Sequence, residues 1–211
     1  MATKLIIFDL DGTLLYTLED LKNSVNFALQ SCNIEPITIE KVRQYVGNGI
    51  YKLIERATKN NRDKFEKCLA VFKKNYENSY KNTYPYGNII ETLKKLKKMN
   101  IKLAVLSNKA DYMVKRLVEF YFNSLIDFSM GESKNFPIKP NPISCEFIIN
   151  KFKVKKEETL FIGDSEVDIQ TAKNVQIRSI SVSWGYKNKD FLIKSGAKII
   201  INNPEEILDN L

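Results

Sequence analysis

The chain has 211 residues, 44% of them hydrophobic and 27% charged, the balance of a folded globular protein and a length that suits one large domain or two small ones. Histidine is absent, which removes Ser-His-Asp and Cys-His catalysis and histidine-ligated metals and leaves acid–base chemistry mainly to carboxylates. The formal charge of +8 invites a nucleic-acid partner, but the lysines are dispersed pairs such as Lys73-Lys74, Lys94-Lys95, Lys97-Lys98 and Lys155-Lys156 among acidic and apolar residues, the pattern of solvated helices.

In chain order, Met1-Ala2-Thr3-Lys4 leads into a strand-like run with no small-residue cleavage site. No apolar run approaches the roughly 18 residues needed to cross a bilayer. A cytoplasmic protein, with neither membrane nor specific nucleic acid as partner, is the expectation. Lys4-Leu5-Ile6-Ile7-Phe8 is continuously apolar and ends abruptly at Asp9-Leu10-Asp11-Gly12-Thr13, as a buried parallel strand does where it reaches the sheet edge.

From residue 17 to 82 the strand signal disappears, and amphipathic helical stretches are predicted over residues 18–32, 39–45, 50–58 and 64–80. Val46-Gly47-Asn48-Gly49 interrupts them, either as a connector or as backbone that approaches a ligand. Tyr84-Pro85-Tyr86-Gly87 supplies turn residues where the strand–helix alternation resumes.

Strands are then predicted over 101–106, 159–162, 179–182 and 198–201, and helices over 89–99, 112–120, 142–152 and 167–174. This alternation predicts a doubly wound, Rossmann-like α/β parallel sheet with right-handed crossovers, residues 1–16 and 83–211, interrupted by an all-helical domain, residues 17–82. Cys32, Cys68 and Cys145 are odd in number and widely spaced, so reduced, packed thiols are expected.

Three of the strands end in chemically loaded loops. Asp9 and Asp11, two residues apart on an extended strand end, can project toward one site while Gly12 permits a tight turn. Ser107-Asn108 follows the second strand and precedes a helix, where a hydroxyl and helix-start amides can hold phosphate oxygens or Ser107 can simply cap the helix. Lys139 sits in the stiff run Ile138-Lys139-Pro140-Asn141-Pro142, in which Pro142 can open the next helix. Gly163-Asp164-Ser165-Glu166-Val167-Asp168 puts two carboxylates on adjacent turns of a helix start, suited to one cation or to capping.

Together these strings resemble the four motifs of the haloacid dehalogenase superfamily, in order and over nearly the whole chain. The resemblance implies Asp9 as a nucleophile that becomes phosphorylated, Asp11 as general acid and base, Ser107 as phosphate binder and Lys139 as neutralising cation. It implies Mg2+ held by Asp9, the Asp11 backbone carbonyl and Asp164, with Asp168 close by, and the helical insertion as a cap whose Gly47, Asn48 and Gly49 select substrate.

With Ser107-Asn108-Lys109, Lys139-Pro140 and Trp184-Gly185-Tyr186, the chain looks like the phosphoglycolate phosphatase branch, acting on a small phosphorylated metabolite. Thr13, Asn108 and Lys109 join the candidate substrate contacts, and Arg43, Lys52 and Arg56 lie near the glycine loop as cations for a substrate carboxylate. Tyr16-Thr17 replaces the Asp-Ser that relatives often carry. Phosphatases of nucleotides, sugar phosphates or pyrophosphate, a phosphosugar mutase, and a noncatalytic phosphate- or nucleic-acid-binding module stand as alternatives. Oligomeric state is not legible.

Overall fold

The structure, a computed structural model, describes residues 2–77 and 79–211. Met1, in the predicted α/β segment, and Asn78, in the helical stretch predicted over 64–80, lie outside the described residues. The chain divides into two compact units, Met1–Leu15 with Pro85–Leu211, and Tyr16–Tyr84.

The second unit is helical. Its helices are α1 (Leu18–Ser31), α2 (Ile39–Tyr45), α3 (Gly49–Ala57) and α4 (Arg62–Tyr76). Thr38 and Asn61 accept hydrogen bonds from Lys41 N and Lys64 N and so start α2 and α4, the N-terminal capping these residue types favour. Val25, Ala28 and Leu29 of α1 and Cys68, Leu69 and Phe72 of α4 are buried, at the three- and four-residue spacing of one helix face. Asp20, on α1 and 3% exposed, accepts hydrogen bonds from Asn82 N and Nδ2 and from Thr83 Oγ1, which ties the start of this unit to its end.

The first unit is an α/β sheet. Its strands are β1 (Leu5–Phe8), β4 (Lys102–Ala110), β5 (Phe128–Glu132), β6 (Thr159–Gly163), β7 (Arg178–Val182) and β8 (Ile200–Ile201). Two short strands, β2 (Leu15–Tyr16) and β3 (Tyr84–Pro85), pair separately. The helices are α5 (Ile89–Lys98), α6 (Asp111–Phe122), α7 (Ile143–Phe152), α8 (Glu166–Val175) and α9 (Lys189–Lys194).

The six strands run in the order β5-β4-β1-β6-β7-β8, all pairs parallel. β1 therefore lies between β4 and β6, with Phe8 level with Val105 and Ile162. Crossovers run to both sides of β1, so the carboxyl ends of β1, β4 and β6 open a crevice, the usual ligand position in such sheets.

All four residues of β1 are fully buried because helices cover both faces of the sheet, which is why the strand reads as an unbroken apolar run. One face packs Leu5, Ile7, Ala104, Leu106 and Phe161 against Cys145, Ile148 and Ile149 of α7 and Ala172 and Val175 of α8.

Several expectations are corrected. The strand predicted over 101–106 continues through Ser107, Asn108 and Lys109 to Ala110, with a register shift against β5 after Leu106. α6 begins only at Asp111, so Ser107 is neither a helix cap nor a helix-start donor. Asp164 precedes α8 rather than lying on it. β5 and α9 were not predicted, and Tyr84–Pro85, read as a turn, forms β3. Among the described residues no helix is long and apolar enough to cross a membrane.

Candidate active site

Asp9 is the first residue beyond β1, its N–H donating to the Ile162 carbonyl at 2.9 Å. The chain then turns sharply, with Leu14 N and Leu15 N both donating to Leu10 O. Gly12 is required here twice over. Its φ is +91°, a conformation L side chains rarely adopt, and a Cβ on it would stand 2.3 Å from Asp164 Oδ2, so the Asp164 carboxylate would have to shift. Thr13 is fully buried. Its hydroxyl donates to Asp164 Oδ1 at 3.5 Å, and its carbonyl accepts the Trp184 indole N–H at 3.0 Å.

Lys139 brings the motifs together. Its Nζ lies 2.6 Å from Asp9 Oδ1 and 2.6 Å from Asp168 Oδ1, and 5.5 Å from the centroid of the Phe161 ring. Burial alone would lower its pKa, but Asp168 and Asp9 outweigh burial and raise it, so it stays charged.

The carboxylates pay a reciprocal cost. Burial pushes the Asp9 carboxyl up to about 7, against the pull of Lys139, with Asp168 and Asp11 adding to the rise. Asp164 is held well above the ordinary range by burial and then by Asp9 and Asp168. Oxygens of Asp9, Asp164 and Asp168 all lie within 4.8 Å of one another, a group of buried oxygen donors of the kind a hard divalent cation takes.

Asp164 is positioned from the far side of the crevice. Its Oδ2 accepts the Tyr186 backbone N–H at 2.7 Å. A Cβ on Gly185 would come within 2.2 Å of the Asp164 Cβ and 2.5 Å of Gly12 O. Trp184-Gly185-Tyr186 therefore braces both Thr13 and Asp164. A glycine between two aromatics just past a strand's carboxyl end is the signal that marks it.

Asp168 serves two partners. Its Oδ2 accepts from Ser165 N at 3.1 Å and Ser165 Oγ at 2.6 Å, closing a capping box on α8, while its Oδ1 faces Lys139.

The other predicted residues are placed as follows. The Asp11 carboxylate is not in the three-carboxylate cluster; its two oxygens accept from Lys109 Nζ at 2.9 and 3.0 Å. Lys109, predicted near substrate, is 2% exposed along its side chain. Ser107 is buried and its Oγ accepts from Lys109 N at 3.3 Å. Asn108, predicted to touch substrate, bonds at both ends of its carboxamide to the Lys139 backbone.

Gly47, Asn48 and Gly49 belong to the helical unit, where Gly47 and Gly49 have φ of +116° and +80°. Arg56 binds Asn48 Oδ1 and the Tyr45 carbonyl, each at 2.9 Å, and Lys52 pairs with Glu55. Arg43 lies in the last turn of α2.

The family model for haloacid dehalogenase-like hydrolases matches residues 6–182. The chain belongs to the haloacid dehalogenase-like hydrolase family. Within it, the chain is 30% identical over 213 residues to phosphoglycolate phosphatase 1 of Pseudomonas aeruginosa, covering 97% of this chain and 78% of that one. It is 32% identical over 220 residues to the phosphoglycolate phosphatase of Vibrio parahaemolyticus, covering 99% of this chain and 92% of the relative. A solved structure described as a predicted phosphoglycolate phosphatase from Haemophilus somnus has a TM-score of 0.92 at 30% identity, covering 99% and 97% of the two chains. One from Lactobacillus delbrueckii subsp. bulgaricus reaches 0.96 at 31% identity, covering 100% and 98%.

Proposed function

We propose that the chain is a magnesium-dependent phosphomonoester hydrolase that works through a phosphorylated Asp9 and acts in the cytoplasm on 2-phosphoglycolate or a similar small phosphorylated metabolite. The observation that carries this reading is the Asp9 carboxylate at the carboxyl end of β1, with Lys139 Nζ at 2.6 Å and Asp164 and Asp168 beside it.

The donor set suits Mg2+, since buried carboxylates without histidine or thiolate are what a small hard cation prefers. Asp9, Asp164 and the Asp11 backbone carbonyl would hold it, with Asp168 close by. When bound, the ion supplies charge neutralisation for the nucleophile and the phosphoryl oxygens.

The chain's own residues divide the remaining tasks. A carboxylate attacks a phosphate only where the negative charge is offset, and the Lys139 ammonium supplies part of that offset to Asp9. In the first step an Asp9 oxygen forms a bond to phosphorus, the bond to the leaving oxygen breaks, and Asp11 gives that oxygen its proton. In the second, Asp11 takes a proton from water as the water oxygen bonds to phosphorus, and the Asp9–phosphorus bond breaks to release inorganic phosphate. Ser107 offers a hydroxyl to the phosphoryl oxygens.

The helical unit is assigned the substrate-selecting cap, with Gly47-Asn48-Gly49 as the selecting loop. The names of the relatives support 2-phosphoglycolate as the first substrate to try. The test is phosphate release from 2-phosphoglycolate, nucleoside monophosphates, sugar phosphates and pyrophosphate, with Mg2+ or with EDTA. Release that needs Mg2+ and favours 2-phosphoglycolate supports the reading. Release from none of them overturns it, and preference for another member moves the substrate but not the chemistry.

A further inference from the structure

Lys139 lies on an irregular stretch between β5 and α7, outside any helix or strand. A lysine is a point charge on a flexible four-carbon stem, so its ammonium is only as well placed as the backbone that carries it. Sites built on loops are less exact than sites built on strands unless something fastens the loop.

The fastening is Asn108, on the carboxyl-terminal extension of β4. Its Oδ1 accepts the Lys139 backbone N–H at 2.7 Å and its Nδ2 donates to the Lys139 carbonyl at 2.9 Å. Asn108 and Lys139 are 6% and 3% exposed. Buried backbone polar groups must find partners, and a single planar group offering one acceptor and one donor side by side is a carboxamide. Neighbouring bonds hold the stretch further along, from Ser144 Oγ to the Pro137 carbonyl and from Asn174 Nδ2 to the Pro140 carbonyl.

We infer that Asn108 is a positioning residue for Lys139: its carboxamide clamps the Lys139 backbone to β4 so that the ammonium stands between Asp9 and Asp168. The inference rests on the reading of Lys139 as the cation of phosphoryl transfer. It moves Asn108 from the substrate, where the sequence placed it, to the machinery behind the nucleophile.

The test uses the full chain as Asn108→Ala and as Asn108→Asp, which keeps the acceptor and loses the donor, each also made in a Lys139→Ala background. Reductive methylation read by mass spectrometry reports on Lys139 directly, with buried Lys109 on the same strand end as internal control. Local release of the stretch is expected to raise Lys139 labelling about tenfold or more in either variant, with Lys109 as protected as in the wild type. With p-nitrophenyl phosphate and 2-phosphoglycolate, kcat is expected to fall about 100-fold, the scale of a small misplacement of a reacting group, with KM changed less than about threefold. On top of Lys139→Ala the Asn108 substitutions should cost less than about threefold more, because the two residues act as one unit.

Unchanged Lys139 protection overturns the inference, as does a raised KM with kcat intact, which would make Asn108 a substrate contact. Joint exposure of Lys109 and Lys139 in both variants also overturns it, because Asn108 would then support the fold at large. A wild type that releases no phosphate defeats the functional reading instead, and the labelling still decides the role of Asn108.

Discussion

Replacing Lys139 by methionine keeps an unbranched apolar stem one atom shorter and removes the charge. In the wild type that charge sits 2.6 Å from carboxylates of both Asp9 and Asp168, in a pocket where Asp164 is also buried. Removing one member of a buried ion pair typically costs about 3–5 kcal/mol because the partner is left uncompensated, and here two partners are stranded. For a chain of this size about 2–4 °C of melting temperature goes with each kcal/mol, so the α/β unit should melt roughly 6–20 °C lower in EDTA at pH 8.

The pH dependence has a definite sign. The folded-state pKa of Asp9 is already raised from 3.8 to about 7, and Asp164 is raised as well. Lys139 lowers both, so its loss raises them further. A carboxyl whose folded pKa is raised contributes stability that is fully present below its unfolded value and is lost as pH rises through the folded one. The deficit of Lys139→Met should therefore be largest above pH 7 and shrink toward pH 5, and Mg2+ in excess at pH 8 should recover part of it by binding only the folded state. Thermal unfolding of both proteins at pH 5 and pH 8, with EDTA and with Mg2+, measures all of this. Equal stability of the two proteins at pH 8 in EDTA, or a deficit independent of pH, would refute the reasoning.

Gly185→Ala forces a Cβ to within 2.2 Å of the Asp164 Cβ, so Asp164 must move; divalent-cation affinity measured by calorimetry should fall about 10–100-fold, as it does when the support of a metal ligand is disturbed. Asp20→Ala removes the buried carboxylate that accepts from Asn82 and Thr83, which should destabilise the helical unit by about 2–4 kcal/mol in urea unfolding. Burial pushes the Cys68 and Cys145 thiols up to about 12, and Cys32 is also buried. A disulfide exchange reagent at pH 8 should find all three inert in the native protein and reactive in denaturant, because burial bars access to each and, for Cys68 and Cys145, also withholds the attacking thiolate.

The central strand and the order of the site's loops were legible because their signals are local. Leu5-Ile6-Ile7-Phe8 has no polar face to hide, and Asp9, Asp11, Lys139, Asp164 and Asp168 are charged residues where an apolar run or a stiff proline pair delivers them. Other features were decided by tertiary structure. Phe128-Ser129-Met130-Gly131-Glu132 carries serine and glycine, poor strand formers, yet it pairs with β4 because the sheet edge supplies the ladder. Ser107, Asn108 and Lys109 read as a loop because they are polar, but Lys109 meets Asp11 and Asn108 meets Lys139, which satisfies them inside an extended strand. The double duty of Asp168 was legible only as two competing readings, because capping and ion pairing each use a different oxygen.

The measurement that bears most directly on Asp9 as the nucleophile is acid quenching of the enzyme during turnover with Mg2+ and 2-phosphoglycolate, followed by peptide mass spectrometry. An alkali-labile phosphate is expected on the peptide carrying Asp9, none in Asp9→Asn, and phosphate release abolished in that variant. A phosphate on a different residue, or release undiminished in Asp9→Asn, would contradict that role of Asp9.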